Sequence, residues 1–136
     1  MKNLLRLEEL AQFLVCVGLL IEHDAPWWVY LLLVLGPDIG MLGYLVGPRV
    51  GAISYNMLHH KGIALVVVGF AAWLSTLHYL SLPALLDHTS WLIAGMVLYG
   101  HASLDRIFGY GLKFGDDFHH THLGWIGKRK GQEQVQ

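Results

Sequence analysis

The chain has 136 residues, 54% of them hydrophobic and 14% charged, with nine His beside nine Lys plus Arg and a net charge of −1. An ordinary soluble domain carries about 25% charged residues, so this balance excludes a large soluble domain, and the slight negative charge argues against a nucleic-acid partner. One cysteine, Cys16, set in an apolar run, excludes an intramolecular disulfide and a thiolate-rich metal site.

At about 20 apolar residues per span, the length allows at most four membrane crossings. The expected fold is all-α and polytopic: a single four-helix transmembrane domain over residues 1–127, followed by a basic, polar tail over 128–136. The first span runs from about residue 4 to 21, with Arg6, Glu8 and Glu9 in its first turns. A cleaved signal peptide would want net positive charge there and a small-residue cleavage site afterwards, and neither is found. Pro26 is placed to open the second span, 27–46, beside an interfacial belt of Trp27, Trp28 and Tyr30. That span is broken at Gly36-Pro37 and closed by Gly47-Pro48. The third has a polar first part over 50–60, a break at Lys61-Gly62 and an apolar run over 63–74 that fades near Tyr79. A turn at Ser81-Leu82-Pro83 and Asp87-His88 leads to the fourth span, 91–109, which carries His101, Asp105 and Arg106 in its last third.

With four spans and the N-terminus inside, all nine Lys and Arg fall on one side. The two outer connections hold Glu22, His23, Asp24, Asp87 and His88 and no cation. Since cytoplasmic loops retain Lys and Arg, both termini are expected in the cytoplasm. The Lys128-Arg129-Lys130 cluster suits anionic lipid headgroups.

The polar residues that the spans bury gather at the same end. A carboxylate at membrane depth marks a functional site by default, and Asp38 lies just past the Gly36-Pro37 break. An ion pair with Arg49, or an internal cap on the broken backbone, are its structural explanations; metal ligation is the chemical one. His59 precedes the second break, and His101 and Asp105, four apart, share one helical face. Imidazole with carboxylate and no thiolate suits Zn, Fe or Mn, and the set Asp38, His59, His101, Asp105 and His122, with Glu8 and Glu9 nearby, suffices for two divalent ions. Tyr55 and Asn56 flank the His59 face as supporting donors, with Arg49 near Asp38. His60 cannot share the face of His59. Of His119, His120 and His122, the last is the best ligand candidate, because an apolar stretch follows it. Gly40, Gly43, Gly47 and Gly51 recur every three or four residues and permit close helix approach, within the chain or in a homo-oligomer.

Gly36-Pro37-Asp38, residues 41–45 (MLGYL), 47–52 (GPRVGA), Tyr55-Asn56 before His59, Asp105-Arg106, 109–113 (GYGLK) and 121–124 (THLG) together resemble a small bacterial membrane-protein family catalogued only as a domain of unknown function. The resemblance covers most of the chain and implies a four-helix protein of the bacterial inner membrane. Glu8 or Glu9, Asp38, Asn56, His59, His101, Asp105 and His122 match motif positions; no activity comes with it.

Three functions are in view. The first is a membrane-embedded, metal-dependent hydrolase acting on a lipid-like or amphiphilic substrate at the cytoplasmic face, with Glu8 or Glu9 as general base. The second is a di-iron oxidase, hydroxylase or desaturase, disfavoured because too few histidines lie on the right side. The third is a non-enzymatic metal or small-molecule binding or transport bundle.

Overall fold

Proline and glycine set most of the element boundaries. In the computed structural model, which describes residues 1–80 and 87–127, the chain is helical apart from one short hairpin. α1 spans Lys2–Glu22, α2 Trp27–Leu35, a 3₁₀ helix Pro37–Leu45, α3 Pro48–His59, α4 Lys61–Tyr79 and α5 His88–Phe108. Pro26 stands just before α2 and Pro48 opens α3, where a missing N–H costs nothing. The Asp87 carboxylate caps α5 by accepting the N–H groups of Thr89 and Ser90. α5 ends at Gly109, whose φ of 90° is a left-handed conformation that glycine adopts without steric cost. Beyond it, β1 (His120–Thr121) pairs antiparallel with β2 (Gly124–Trp125), and Lys113 bridges to Thr121. Residues 113–125 are thus tied together by backbone pairing. The expected turn at Ser81-Leu82-Pro83 and the Lys128-Arg129-Lys130 cluster lie outside the described residues.

α5 is the central helix and packs against α1, α2, α3 and α4. Its glycines permit the approach: a Cβ on Gly95 would stand 2.6 Å from Val68, and one on Gly100 2.7 Å from Leu33. Leu20, Val29, Leu33, Met96 and Val97 form the core. Large apolar side chains point outward instead on α1 (Leu14, Val15), α2 (Leu31, Leu35) and α4 (Leu65, Val66, Trp73).

Among the described residues, α4 is the one helix long and apolar enough to cross a membrane, with 19 residues of mean hydropathy 1.6. α2 and the 3₁₀ helix pass together as a second segment bent by 40°. α1 and α5 have the length, at 21 residues each, but they carry Arg6, Glu8 and Glu9, and Asp105 and Arg106, which lower their hydropathy.

Two features of the third expected span differ from the sequence expectation. The second break falls at His60, in extended conformation (φ −87°, ψ 110°), and Lys61 already belongs to α4. The His60 side chain accepts the Gly62 N–H and so caps α4. In addition, α3 does not extend α4; it folds back along the 3₁₀ helix. The glycine row explains why. A Cβ on Gly40 would stand 2.8 Å from the Ser54 carbonyl oxygen and 3.0 Å from Tyr55 Cα, and Gly43 and Gly51 face Ser54 and Tyr44 at still closer range. The Ser54 hydroxyl donates to Gly40 O across this contact at 2.6 Å. Within the chain, Gly40, Gly43 and Gly51 of this row pack the 3₁₀ helix against α3, whereas a Cβ on Gly47 meets nothing within 4 Å among the described residues.

Because backbone, not a movable side chain, lies opposite Gly40, Gly40→Ala is expected to destabilise the fold by about 1–3 kcal/mol. Gly69 in α4 faces open space, so Gly69→Ala should be neutral or stabilise by up to about 1 kcal/mol. Thermal unfolding in detergent distinguishes them, and equal midpoints would refute the close approach.

Candidate metal centre

Three elements bring four ligand-type side chains together. Asp38 lies in the first turn of the 3₁₀ helix, His59 is the last residue of α3, and His101 and Asp105 sit one turn apart on α5. In a continuous helix the N–H of residue 37 would bond to Leu33 O. Pro37 has no N–H, and the freed Leu33 carbonyl instead lies 3.0 Å from His101 Nδ1. His59 Nδ1 lies 2.8 Å from Tyr55 O. A carbonyl oxygen only accepts, so each Nδ1 carries the hydrogen, and in the neutral rings each Nε2 is left as a bare lone pair.

Those two Nε2 atoms face each other at 3.0 Å. Asp38 Oδ1 is 3.5 Å from both of them. Asp105 completes the ring, with Oδ2 3.4 Å from His59 Nε2 and Oδ1 3.8 Å from His101 Nε2. One ligand atom from each of the four residues lies within 4.8 Å of all the others. Ligands held at about 2.0–2.2 Å by a tetrahedral ion stand about 3.3–3.6 Å apart, and the measured separations bracket that spacing. With neutral imidazoles neither histidine points a hydrogen into the ring, and Asp38 Oδ1 is buried without a hydrogen-bond partner among the described residues. Four converging acceptors in a buried place repel one another unless a cation sits between them. This buried group can hold a metal ion. His101 is 1% exposed and His59 3%, whereas the Asp38 side chain is 37% exposed, so the site opens to its surroundings on the Asp38 side.

The surrounding residues hold the ring in shape. Tyr55 stacks on the His59 imidazole at 3.6 Å between ring centroids and donates its hydroxyl to Asp105 Oδ2. Asn56 grips both backbone polar groups of Lys113: Asn56 Nδ2 donates to Lys113 O at 2.9 Å, and Lys113 N donates to Asn56 Oδ1 at 2.7 Å. The Lys113 ammonium is buried without a hydrogen-bond partner among the described residues, and it lies over the rings of Phe118, Tyr55 and Tyr110 at 4.0, 5.1 and 5.7 Å. Burial pushes its pKa below the ordinary lysine value, against the pull of the Asp105 and Asp38 carboxylates.

The other expected site residues lie elsewhere. Glu9 forms ion pairs with Lys61 and, at 3.6 Å, with Arg106; Glu8 is exposed and accepts from Gln12. Neither carboxylate reaches the ring, because α1 presents them to these polar partners instead. His122 is spent on the backbone: its Nδ1 accepts the Leu112 N–H at 2.8 Å, and burial together with the Arg106 charge holds its pKa down. Arg49 is exposed and makes no ion pair with Asp38 among the described residues. His119 and His120 pair locally with Asp117 and Asp116. Lys113 was not singled out by the sequence, where a lysine just past a helix end reads as solvated.

Over residues 2–126 the chain matches the family model described as a domain of unknown function (DUF4260), and it belongs to that family. No curated protein and no solved structure matches it.

Removing the Asn56 side chain leaves the backbone N–H and C=O of Lys113 without the partners they have among the described residues. Asn56→Ala is therefore expected to destabilise by about 1–3 kcal/mol, read as a lowered unfolding midpoint in detergent; an unchanged midpoint would show that the clamp contributes nothing.

Proposed function

We propose that the chain is a membrane-embedded metalloprotein that holds one divalent ion among Asp38, His59, His101 and Asp105 and uses it to hydrolyse a lipid-like or amphiphilic substrate at the cytoplasmic face. The observation that carries the metal reading is the pair of Nε2 atoms, 3.0 Å apart and both within 3.5 Å of Asp38 Oδ1, with each Nδ1 at hydrogen-bond distance from a backbone carbonyl. Such outer hydrogen bonds fix the tautomer and orientation of metal-binding histidines. Two imidazoles and two carboxylates at tetrahedral spacing suit zinc best, with Fe and Mn as the other matches, and the group supplies ligands for one ion rather than two. A divalent ion there supplies Lewis-acid chemistry suited to hydrolysis. The exposed flank of Asp38 gives a reactant access, and Glu9, committed to its two cations, is not available as the base.

Four spans with both termini in the cytoplasm remain the membrane arrangement that fits best. It puts all nine Lys and Arg on one side and gives the outward-facing Leu, Val and Trp side chains of α1, α2 and α4 a lipid solvent. In a bacterium this is the inner membrane.

Elemental analysis of detergent-purified protein should find about one equivalent of a divalent metal. Asp38→Ala, His59→Ala, His101→Ala and Asp105→Ala should each lower it to background, while His88→Ala and Glu9→Gln retain it. Zinc supports hydrolysis, and iron would favour oxidative chemistry instead. Protein without metal, or with metal indifferent to those four residues, contradicts the reading.

A second prediction isolates the outer hydrogen bond. Pro37→Ala restores an N–H that competes for Leu33 O, and is expected to weaken metal affinity about 10–100-fold without unfolding the protein. Unchanged affinity in a competition titration would mean that the freed carbonyl does not set the His101 geometry.

A further inference from the structure

Away from the four-residue ring, a cavity of about 410 Å³ opens between the start of α1, the end of α5 and the hairpin that follows. Lys2, Arg6 and Arg106 line it, with Glu9 as the single carboxylate among the described residues and Leu5 and Leu123 among its apolar walls. Glu9 is already shared between Arg106 and Lys61. Neither Lys2 nor Arg6 has an ion-pair or hydrogen-bond partner among the described residues, and both are exposed. The cavity therefore holds more positive charge than its own carboxylate balances. Its apolar residues are themselves open to the surroundings, Leu5 at 52% and Leu123 at 44%.

We propose that this cavity is a binding site for the phosphate headgroup of an anionic phospholipid. Guanidinium groups present paired N–H donors that match phosphate oxygens, and two arginines and a lysine around one space supply a match for a phosphate monoanion. An apolar wall beside the cations suits a ligand with acyl chains rather than a bare anion. The three cations lie at the cytoplasmic end in the four-span arrangement, where anionic headgroups meet basic side chains. The choice of a lipid ligand rests on the four-span arrangement proposed above, but the site does not depend on an ion at Asp38 and its neighbours.

The test uses the full chain in a neutral detergent, titrated calorimetrically with dioctanoyl phosphatidylglycerol, dioctanoyl phosphatidylcholine and inorganic phosphate. Phosphatidylglycerol should bind, and the other two should bind at least about tenfold more weakly. The double variant Lys2→Gln, Arg6→Gln should weaken phosphatidylglycerol about tenfold and keep the wild-type unfolding midpoint, since both side chains are exposed. Leu5→Ser should weaken the lipid while leaving inorganic phosphate unchanged. Equal affinity for the two lipids, or full affinity in the double variant, overturns the proposal. Inorganic phosphate binding as tightly as the lipid also overturns it, by making the cavity a site for the free anion.

Discussion

The missing N–H of Pro37 is the constraint on which the rest of the structure depends. It ends α2 and leaves Leu33 O without its helical donor, and His101 takes that acceptor through Nδ1 at 3.0 Å. One absent hydrogen thus bends the chain by 40° and fixes which nitrogen of a buried imidazole stays bare. The residue immediately after the bend, Asp38, is carried toward that nitrogen. The 3₁₀ helix that follows is longer than the three or four residues usual for the form. The glycine contacts with α3 hold it there, and the same contacts bring His59 to the ring from the far end of α3.

The electrostatics of the ring follow from this geometry. Two carboxylates converge on two buried imidazoles, and among the described residues Tyr55 offers one of the carboxylates, Asp105, a hydrogen. The Lys113 ammonium interacts with both carboxylates through space but is held among aromatic faces, where it makes no hydrogen bond among the described residues. It offsets part of the negative charge without occupying the ring. That leaves the centre free for a second cation, and a divalent ion at tetrahedral distance meets every acceptor at once.

Much of this site was legible in the sequence. The four-residue spacing of His101 and Asp105, and the carboxylate just past Gly36-Pro37, are local signals, and both depend on the geometry of a single helix or break. The role of Glu9 was not legible, because its partners Lys61 and Arg106 come from other helices. Nor was that of His122, whose ring nitrogen is taken by a backbone N–H ten positions away. Lys113 is buried through a clamp from Asn56, separated from it by 57 positions, and no local pattern announces such a contact. Helix ends at Pro48 and Gly109 were visible for the reverse reason: each turns on the backbone chemistry of one residue. The folding back of α3 was hidden because a helical pattern interrupted at Lys61-Gly62 reads alike whether the second helix continues or reverses.

X-ray absorption at the zinc edge of purified protein to which zinc has been added tests the central claim most directly. Two nitrogen and two oxygen scatterers at about 2.0–2.2 Å, with the outer-shell signature of two imidazole rings, is the predicted result. A sulfur scatterer at about 2.3 Å, or a light-atom shell with no imidazole signature, would contradict it.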